Sequence, residues 1–155
     1  MAEWVVTDLE MTDRSAWERL YVGYADFYET SMPPYKLATV WAWLHDPAHE
    51  LSAVVVRAEP NGAPVGLAQY RPFARPLRGS VGCFLDDLFV TPELRGQGAA
   101  QALLAELRRR SAANGWDVVR WITRASNSVA RRLYDQVATA TDLVTYDMPV
   151  EGRPY

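Results

Sequence analysis

The segment from Asp87 to Leu104, DLFVTPELRGQGAAQALL, most narrowly limits what this chain can fold into. Apolar strand residues lead into a short glycine-containing loop, and a helix follows. Its apolar stripe consists of Ala99, Ala102, Leu103 and Leu107. The backbone N–H groups at the start of a helix have no intrahelical partner, and the helix dipole favours negative charge there. The segment therefore predicts a strand-to-helix turn that binds a phosphate group.

The residues of this loop limit which phosphate-containing ligand it can bind. Gly96 and Gly98 let the main chain approach a phosphate without an intervening Cβ, and Arg95 adds a cation. A Walker loop needs a Gly-Lys-Ser/Thr sequence that is absent here, and the dinucleotide fingerprint would put Gln101 where it needs glycine or alanine. The loop favours a pyrophosphate, while an ordinary βα turn without a ligand is the alternative.

Apolar periodicity and turn residues predict the element order β-α-α-β-β-β-α-β-α-β, in one domain over residues 1–155. We expect strands at 3–8, 51–58, 65–73, 82–90, 117–122 and 141–148. We expect a helix capped by Asp13 or Ser15 and running to about Glu29, and a second over 35–45. A third is expected in the segment that follows the loop, QALLAELRRRSAANG, ended by Asn114-Gly115, and a fourth is capped by 126–128 and runs to about Val137. This order predicts a mixed α+β sheet packed by helices.

Composition excludes several classes of protein. One cysteine and two histidines offer little for a metal site, so none is predicted. The net charge of −3 argues against sequence-independent nucleic-acid binding. No apolar run approaches the roughly 18 residues of a membrane helix. The N-terminus lacks a secretory signal pattern. We expect a cytoplasmic protein that binds neither nucleic acid nor membrane.

Two motifs together resemble a known family. The pattern Val90-x-Pro92-x-x-Arg95-Gly96-x-Gly98-x-Ala100 is similar to the acetyl-CoA motif Gln/Arg-x-x-Gly-x-Gly/Ala of the GCN5-related N-acetyltransferase (GNAT) family. Downstream, the segment 127–134 resembles that family's Asn-x-x-Ala-x-x-Leu-Tyr helix. The resemblance covers about residues 50–148. It implies the GNAT fold, a mixed and mostly antiparallel central sheet splayed in the middle and flanked by about four helices.

The resemblance also implies that acetyl-CoA is a co-substrate and that its acetyl group passes directly to an amine. The pantetheine arm fills the gap between the strand ending at Val90 and the next strand. A main-chain N–H near Phe89 or Val90 polarises the thioester carbonyl. The implied cofactor-binding residues are Leu88, Phe89, Val90, Arg95, Gly96, Gln97, Gly98, Ala99, Ala100, Asn127 and Tyr134.

Catalytic roles follow from the same resemblance and from proton chemistry. Tyr134 is expected to protonate the leaving thiolate, and its alternative role is that of a core tyrosine. A primary amine with a pKa near 10.4 is almost entirely protonated at pH 7, so a base must remove a proton. Asp86 and Asp87 are the candidates. Adjacent strand residues face opposite sides unless a bulge intervenes, so one is expected to act in catalysis and the other in structure. Asp86 is preferred.

The sequence also indicates a class of acceptor amine. The stretch Leu85-Asp-Asp-Leu-Phe-Val90 resembles a Leu-Glu-Asp-Ile-Tyr-Val strand of diamine and polyamine acetyltransferases, and aromatic rings favour a cation. The predicted substrate-binding residues are Tyr24, Tyr28, Glu29, Trp43, Asp86 and Asp87.

Other functions stay open at this stage. Amino acids, aminoglycosides and protein or peptide amines are alternative acceptors. The alternatives to an enzyme are a non-catalytic acyl-CoA-binding sensor and, less favoured, a nucleotide-binding module of another fold. The resemblance also allows a homodimer.

Overall fold

The computed structural model describes residues 3–155 as two compact units, one ending at Ile122 and one covering Thr123–Tyr155. The first unit contains a five-stranded sheet in the order β1-β2-β3-β4-β5. Its strands are β1 (Val5–Asp8), β2 (Ser52–Arg57), β3 (Pro64–Arg75), β4 (Ser80–Val90) and β5 (Val119–Arg120). Its helices are α1 (Arg14–Phe27), α2 (Pro34–Leu44) and α3 (Ala99–Ala113). The second unit carries α4 (Ser128–Val137).

Alternation along the strands gives this sheet two apolar faces. On one face Val55, Leu67 and Phe89 pack with the core side chains of α1 and α2. The neighbouring strand residues, such as Val54 and Ala68, point the other way and are fully buried as well. α3 contacts β2, β3 and β4 and buries Leu103 and Leu107 completely, so it covers that second face.

The sheet splits between its last two strands. β1 to β4 pair antiparallel, whereas β4 and β5 pair parallel at Cys83–Val119 and Phe84–Arg120 only. β4 continues to Val90, and among residues 3–155 no strand pairs with its second half on the β5 side. This confirms the predicted mixed, mostly antiparallel and splayed sheet, with the splay between β4 and β5, and the four expected helices form.

Two strand predictions were wrong. The strand predicted at 117–122 is reduced to Val119–Arg120. The strand predicted at 141–148 does not form, and the apolar side chains of this segment, such as Leu143 and Tyr146, are exposed. An alternating pattern defines a strand only where a second backbone supplies hydrogen bonds, and residues 139–148 have no such ladder in the structure. The prediction of one domain over residues 1–155 stays a prediction.

The predicted cap of α1 also has a different role. Asp13 occupies the N-cap position without a side-chain cap hydrogen bond. Its carboxylate instead accepts hydrogen bonds from both terminal nitrogens of Arg57, at 2.9 and 2.6 Å, and from the Glu10 N–H at 2.9 Å. Both side chains are buried, so this ion pair ties β2 to the start of α1 beside a cavity of about 450 Å³.

Candidate active site

The loop between β4 and α3 has the backbone form expected for anion binding. A 3-10 turn at Pro92–Leu94 ends β4, and the chain then enters α3 through Gly96 and Gly98, whose φ angles are 75° and 95°. These left-handed conformations favour glycine. Among residues 3–155 the N–H groups of the three residues 96–98 find no backbone acceptor. Together with the first N–H groups of α3 they form a set of free donors at a positive helix end.

A tryptophan that the sequence analysis did not select holds this loop. The Trp4 Nε1–H donates a 2.8 Å hydrogen bond to the Gln97 carbonyl oxygen. A Cβ placed on Gly98 would lie 3.5 Å from the Trp4 Nε1, so the indole rests against the loop backbone. With its carbonyl fixed by Trp4, the Gln97 peptide has a defined orientation. No local pattern links residues 93 positions apart, so only the folded chain identifies this contact.

Arg95 lies beside the end of β4. Its Nε donates a 3.1 Å hydrogen bond to the Val90 carbonyl oxygen. Its guanidinium carbon lies 5.3 Å from the centre of the Phe89 ring and 5.7 Å from that of Phe27. Arg95 therefore braces the loop against β4 and α1.

The unpaired edge of β4 can be assigned residue by residue. The Thr91 N–H donates to the Val65 carbonyl at 2.9 Å, so Thr91 faces β3. In an antiparallel pair, alternate residues direct their N–H and C=O groups to opposite sides. Phe89 therefore also faces β3, whereas Leu88 and Val90 face the gap left by β5. Of the two N–H groups considered from the sequence, that of Val90 is directed to the gap.

A β-bulge brings the two aspartates to one face of the sheet. Gln69 pairs with Asp87 and Tyr70 with Leu85, which leaves Asp86 as the extra residue on β4. The contacts agree with this, because Asp86 binds Arg71 and Asp87 binds Gln69, two residues apart on β3. The bulge removes the expected opposition of neighbouring side chains. Both carboxylates lie on the face covered by α1.

Asp87 accepts the last hydrogen bond in a series that runs from Trp17 through the buried Gln69. The Trp17 Nε1–H donates to the Gln69 Oε1 at 2.7 Å, which turns the Gln69 Nε2 toward Asp87, where it donates at 2.6 Å. The Tyr21 hydroxyl adds a 3.2 Å hydrogen bond to the same carboxylate oxygen. Burial raises the pKa of Asp87, and these donated hydrogen bonds oppose the rise. Burial and the nearby Asp87 charge also raise the pKa of Tyr21.

Asp86 is less buried and is paired with a cation. The Arg71 Nε lies 3.1 Å from the Asp86 Oδ2, with 29% of the Asp86 side chain exposed. Burial raises the pKa of Asp86, and the charge and hydrogen bond of Arg71 lower it again, with the raising effect larger. Both aspartates have a raised pKa, and Asp86 is the one of the two that is less buried. That combination suits a group that exchanges a proton with a bound amine.

The predicted substrate-binding residues fall into different places. The Tyr24 hydroxyl donates to the Asp86 carbonyl oxygen at 3.4 Å, and the Tyr24 and Tyr28 rings lie 4.9 Å apart, so these two tyrosines adjoin the bulge. Burial and the Asp87 charge raise the pKa of Tyr24. Glu29 is exposed just after α1 with a φ of 55°. Trp43 is 43% exposed and stacks on His49 at a ring distance of 4.9 Å.

Asn127 and Tyr134 belong to the second unit. Asn127 is the N-cap residue of α4, and its Nδ2 donates to the Thr123 Oγ1 at 3.2 Å. Tyr134 lies two turns further along the helix and is half-buried. Their seven-residue spacing puts both on one face of α4. The cofactor-binding and acid roles of these residues stay predictions.

Across residues 3–155, no three His, Cys, Asp or Glu side chains are grouped so that they could hold a metal ion. None of the helices in this part of the chain combines the length and apolar character needed to cross a bilayer.

Comparisons with known proteins agree with this geometry. The sequence profile of the acetyltransferase (GNAT) family matches residues 15–138. The chain is 31% identical to the D-amino-acid N-acetyltransferase HPA3 of Saccharomyces cerevisiae, over 92% of this chain and 88% of that protein. Its fold is similar to a crystal structure of a probable acetyltransferase, with 20% identity, a TM-score of 0.84 and coverage of 96% and 99%. It is also similar to AAC(6')-Iy in complex with the bisubstrate analogue CoA-S-monomethyl-acetylneamine, with 18% identity, a TM-score of 0.78 and the same coverage.

Proposed function

Because the chain belongs to the acetyltransferase (GNAT) family and is an N-acetyltransferase, we propose that it moves the acetyl group of acetyl-CoA directly to the primary amine of a small molecule. One observation carries the proposal. The free N–H groups at 96–98 and the start of α3 adjoin the unpaired edge of β4. A ligand with a diphosphate and an extended amide-containing arm matches the two features together.

The chain's own residues have distinct tasks in binding acetyl-CoA. The loop from Arg95 to Ala100 receives the diphosphate through main-chain N–H groups. The backbone of Leu88 receives the amide-containing arm as a further strand receives its neighbour. The Val90 N–H donates to the thioester oxygen and stabilises the negative charge that develops there as the amine attacks. Asn127 binds an amide of the same arm.

The proton balance assigns the remaining roles. Asp86 accepts a proton from the acceptor's ammonium group, directly or through water, and the neutral nitrogen attacks the thioester carbon. The new C–N bond forms as the C–S bond breaks, and Tyr134 donates a proton to the sulfur. The products are an N-acetylated amine and CoA with a free thiol. Asp87 holds the bulge in place through Gln69 and Tyr21 and is the second candidate for the base.

The acceptor class is the finer part of the proposal. The diamine or polyamine class indicated by the sequence stays a prediction, with Asp86, Asp87, Tyr24, Tyr28, Glu29 and Trp43 as its binding residues. The relationship to a D-amino-acid N-acetyltransferase adds amino acids to the candidates, and the fold shared with AAC(6')-Iy is consistent with aminoglycosides. Homodimer formation and a cytoplasmic location also stay predictions.

Thiol release from acetyl-CoA with a panel of amines tests the proposal. We expect release with at least one small primary amine, and a product heavier by one acetyl group in mass spectrometry. Tyr134→Phe is expected to lower kcat strongly with little change in the Kd for CoA. Tight CoA binding without release for any amine would instead support the non-catalytic sensor.

The two aspartates can be separated by matched variants. Asp86→Asn is expected to lower kcat about 100-fold, within the usual effect of removing a general base. Asp87→Asn keeps an oxygen that can accept from both the Gln69 N–H and the Tyr21 hydroxyl, which donate to the same oxygen of Asp87, so it is expected to fold and to lose less activity. The reverse order of losses would assign the base to Asp87.

A further inference from the structure

Two arginines and two phenylalanines form a separate surface beside Asp86, which we call the arginine–aromatic patch. Its members are Arg71, Phe73, Phe84 and Arg120. Arg71 pairs with Phe84 across β3 and β4, and Phe84 pairs with Arg120 across β4 and β5. Paired residues and residues two apart share a face of a sheet. The patch therefore lies on the same face as the Asp86 carboxylate.

The guanidinium groups of the patch keep free donors. The Arg120 guanidinium carbon lies 5.3 Å from the centre of the Phe73 ring, and no carboxylate of residues 3–155 pairs with Arg120. Arg71 stacks on Phe84 at 4.8 Å and binds Asp86 through its Nε alone. An arginine has five N–H donors, so the terminal nitrogens of Arg71 remain available. The stacked, half-buried rings hold both cations in place.

This charge distribution disfavours an acceptor that is only cationic. Arg71 offsets the charge of Asp86, and Arg120 adds a positive charge without a carboxylate partner. A diamine would bring a second cation toward these guanidinium groups. A carboxylate on the acceptor instead supplies the missing anion, since guanidinium binds carboxylate with two parallel hydrogen bonds.

The contact between Arg71 and Asp86 limits how far the acceptor's carboxylate stands from its amine. The Arg71 Nε lies 3.1 Å from the Asp86 Oδ2, so a carboxylate bound by the terminal nitrogens of the same guanidinium lies close to an amine bound by Asp86. Arg120 lies opposite Phe84 on the same face of the sheet and offers further donors to that carboxylate. An amine and a carboxylate attached to one carbon match this short separation.

From this geometry we infer that the acceptor is an α-amino acid or a close analogue, whose carboxylate binds Arg120 and Arg71 while its amine faces Asp86. The inference rests on the proposed acetyl transfer and deepens it. Arg120 is the specificity-determining residue, because Arg71 also fixes Asp86. The inference takes the place of the diamine or polyamine class derived from the sequence.

The test compares amino acids with their decarboxylated amines. The pairs are alanine with ethylamine, phenylalanine with phenethylamine and lysine with cadaverine, the amino acids in both enantiomers. We expect at least one amino acid to have a kcat/KM more than tenfold above that of its paired amine. Arg120→Gln is expected to lower that ratio about 10- to 100-fold, as for the loss of hydrogen bonds to a charged group. Arg120→Lys should lower it less, since the charge stays.

Arg78→Gln is the matched control, because Arg78 is an exposed arginine on the β3–β4 turn, and the ratio should not change. The ratio compares two acceptors on the same preparation, so partial unfolding of a variant cancels from it. Simple amines acetylated as well as amino acids, or a ratio insensitive to Arg120→Gln, would overturn the inference and leave acetyl transfer standing. No thiol release from any pair, with release from another primary amine of the panel, would overturn the inference alone. No release from the whole panel would refute acetyl transfer and this inference together.

Discussion

Replacing Gln69 by leucine should show how strongly Gln69 and Trp17, which are hydrogen-bonded beneath the aspartates, are coupled in stability. Gln69 is fully buried, and its side chain accepts a hydrogen bond from Trp17 at 2.7 Å and donates one to Asp87 at 2.6 Å. Leucine has a similar volume and neither function. Gln69→Leu leaves the buried indole N–H of Trp17 without its acceptor and takes a donor from the Asp87 carboxylate.

The expected magnitude follows from those two losses. A buried polar group deprived of its partner costs about 1–3 kcal/mol, so the variant is expected to lose about 2–6 kcal/mol of unfolding free energy. In a Trp17→Phe background the indole N–H is already absent. There the same substitution should cost about 1–3 kcal/mol less, which is the coupling between the two side chains.

Urea unfolding of the wild type, both single variants and the double variant, followed by far-UV circular dichroism, measures this coupling. The cycle removes the packing loss that Trp17→Phe causes by itself, because that loss appears in two of its arms. A coupling free energy below about 0.5 kcal/mol is usual for independent sites and would refute the hydrogen bond between Trp17 and Gln69.

Three further results are expected. Trp4→Phe removes the donor to the Gln97 carbonyl and should raise the KM for acetyl-CoA several-fold with little change in kcat, as measured by thiol release. An unchanged KM would show that the Trp4 hydrogen bond does not hold the loop for binding. Asp13→Asn leaves the buried Arg57 guanidinium with no anionic partner and should cost about 3–5 kcal/mol in urea unfolding. Because the pKa of Asp13 is lowered, its stabilisation is fully present above the ordinary aspartate range and is lost as the pH falls through the lowered value. Because the pKa of Asp86 is raised, kcat/KM should fall on its acid side above the usual range of aspartate, and Asp86→Asn should abolish that limb.

Local sequence was sufficient to predict the loop and most of the helices and strands around it. The change from strand alternation to helical periodicity near Pro92, with Gly96 and Gly98 between, is a short-range pattern that needs no distant partner. The same holds for α2 (Pro34–Leu44), which forms where a helix is predicted over 35–45. The strand predicted at 141–148 failed because alternation describes a surface but does not supply a neighbouring strand.

The sequence by itself determined that this chain forms a glycine-containing turn with free main-chain donors after an apolar strand, since these donors and the two glycines are local properties. Only the tertiary structure decided what surrounds that turn. The bulge at Asp86 depends on the register between β3 and β4, and it alone brings both carboxylates to one face. The contact from Trp4 and the unpaired charge of Arg120 likewise arise where distant segments meet. Register and long-range pairing are settled by the packing of the whole sheet, so the charges that select an acceptor become visible only in the folded protein.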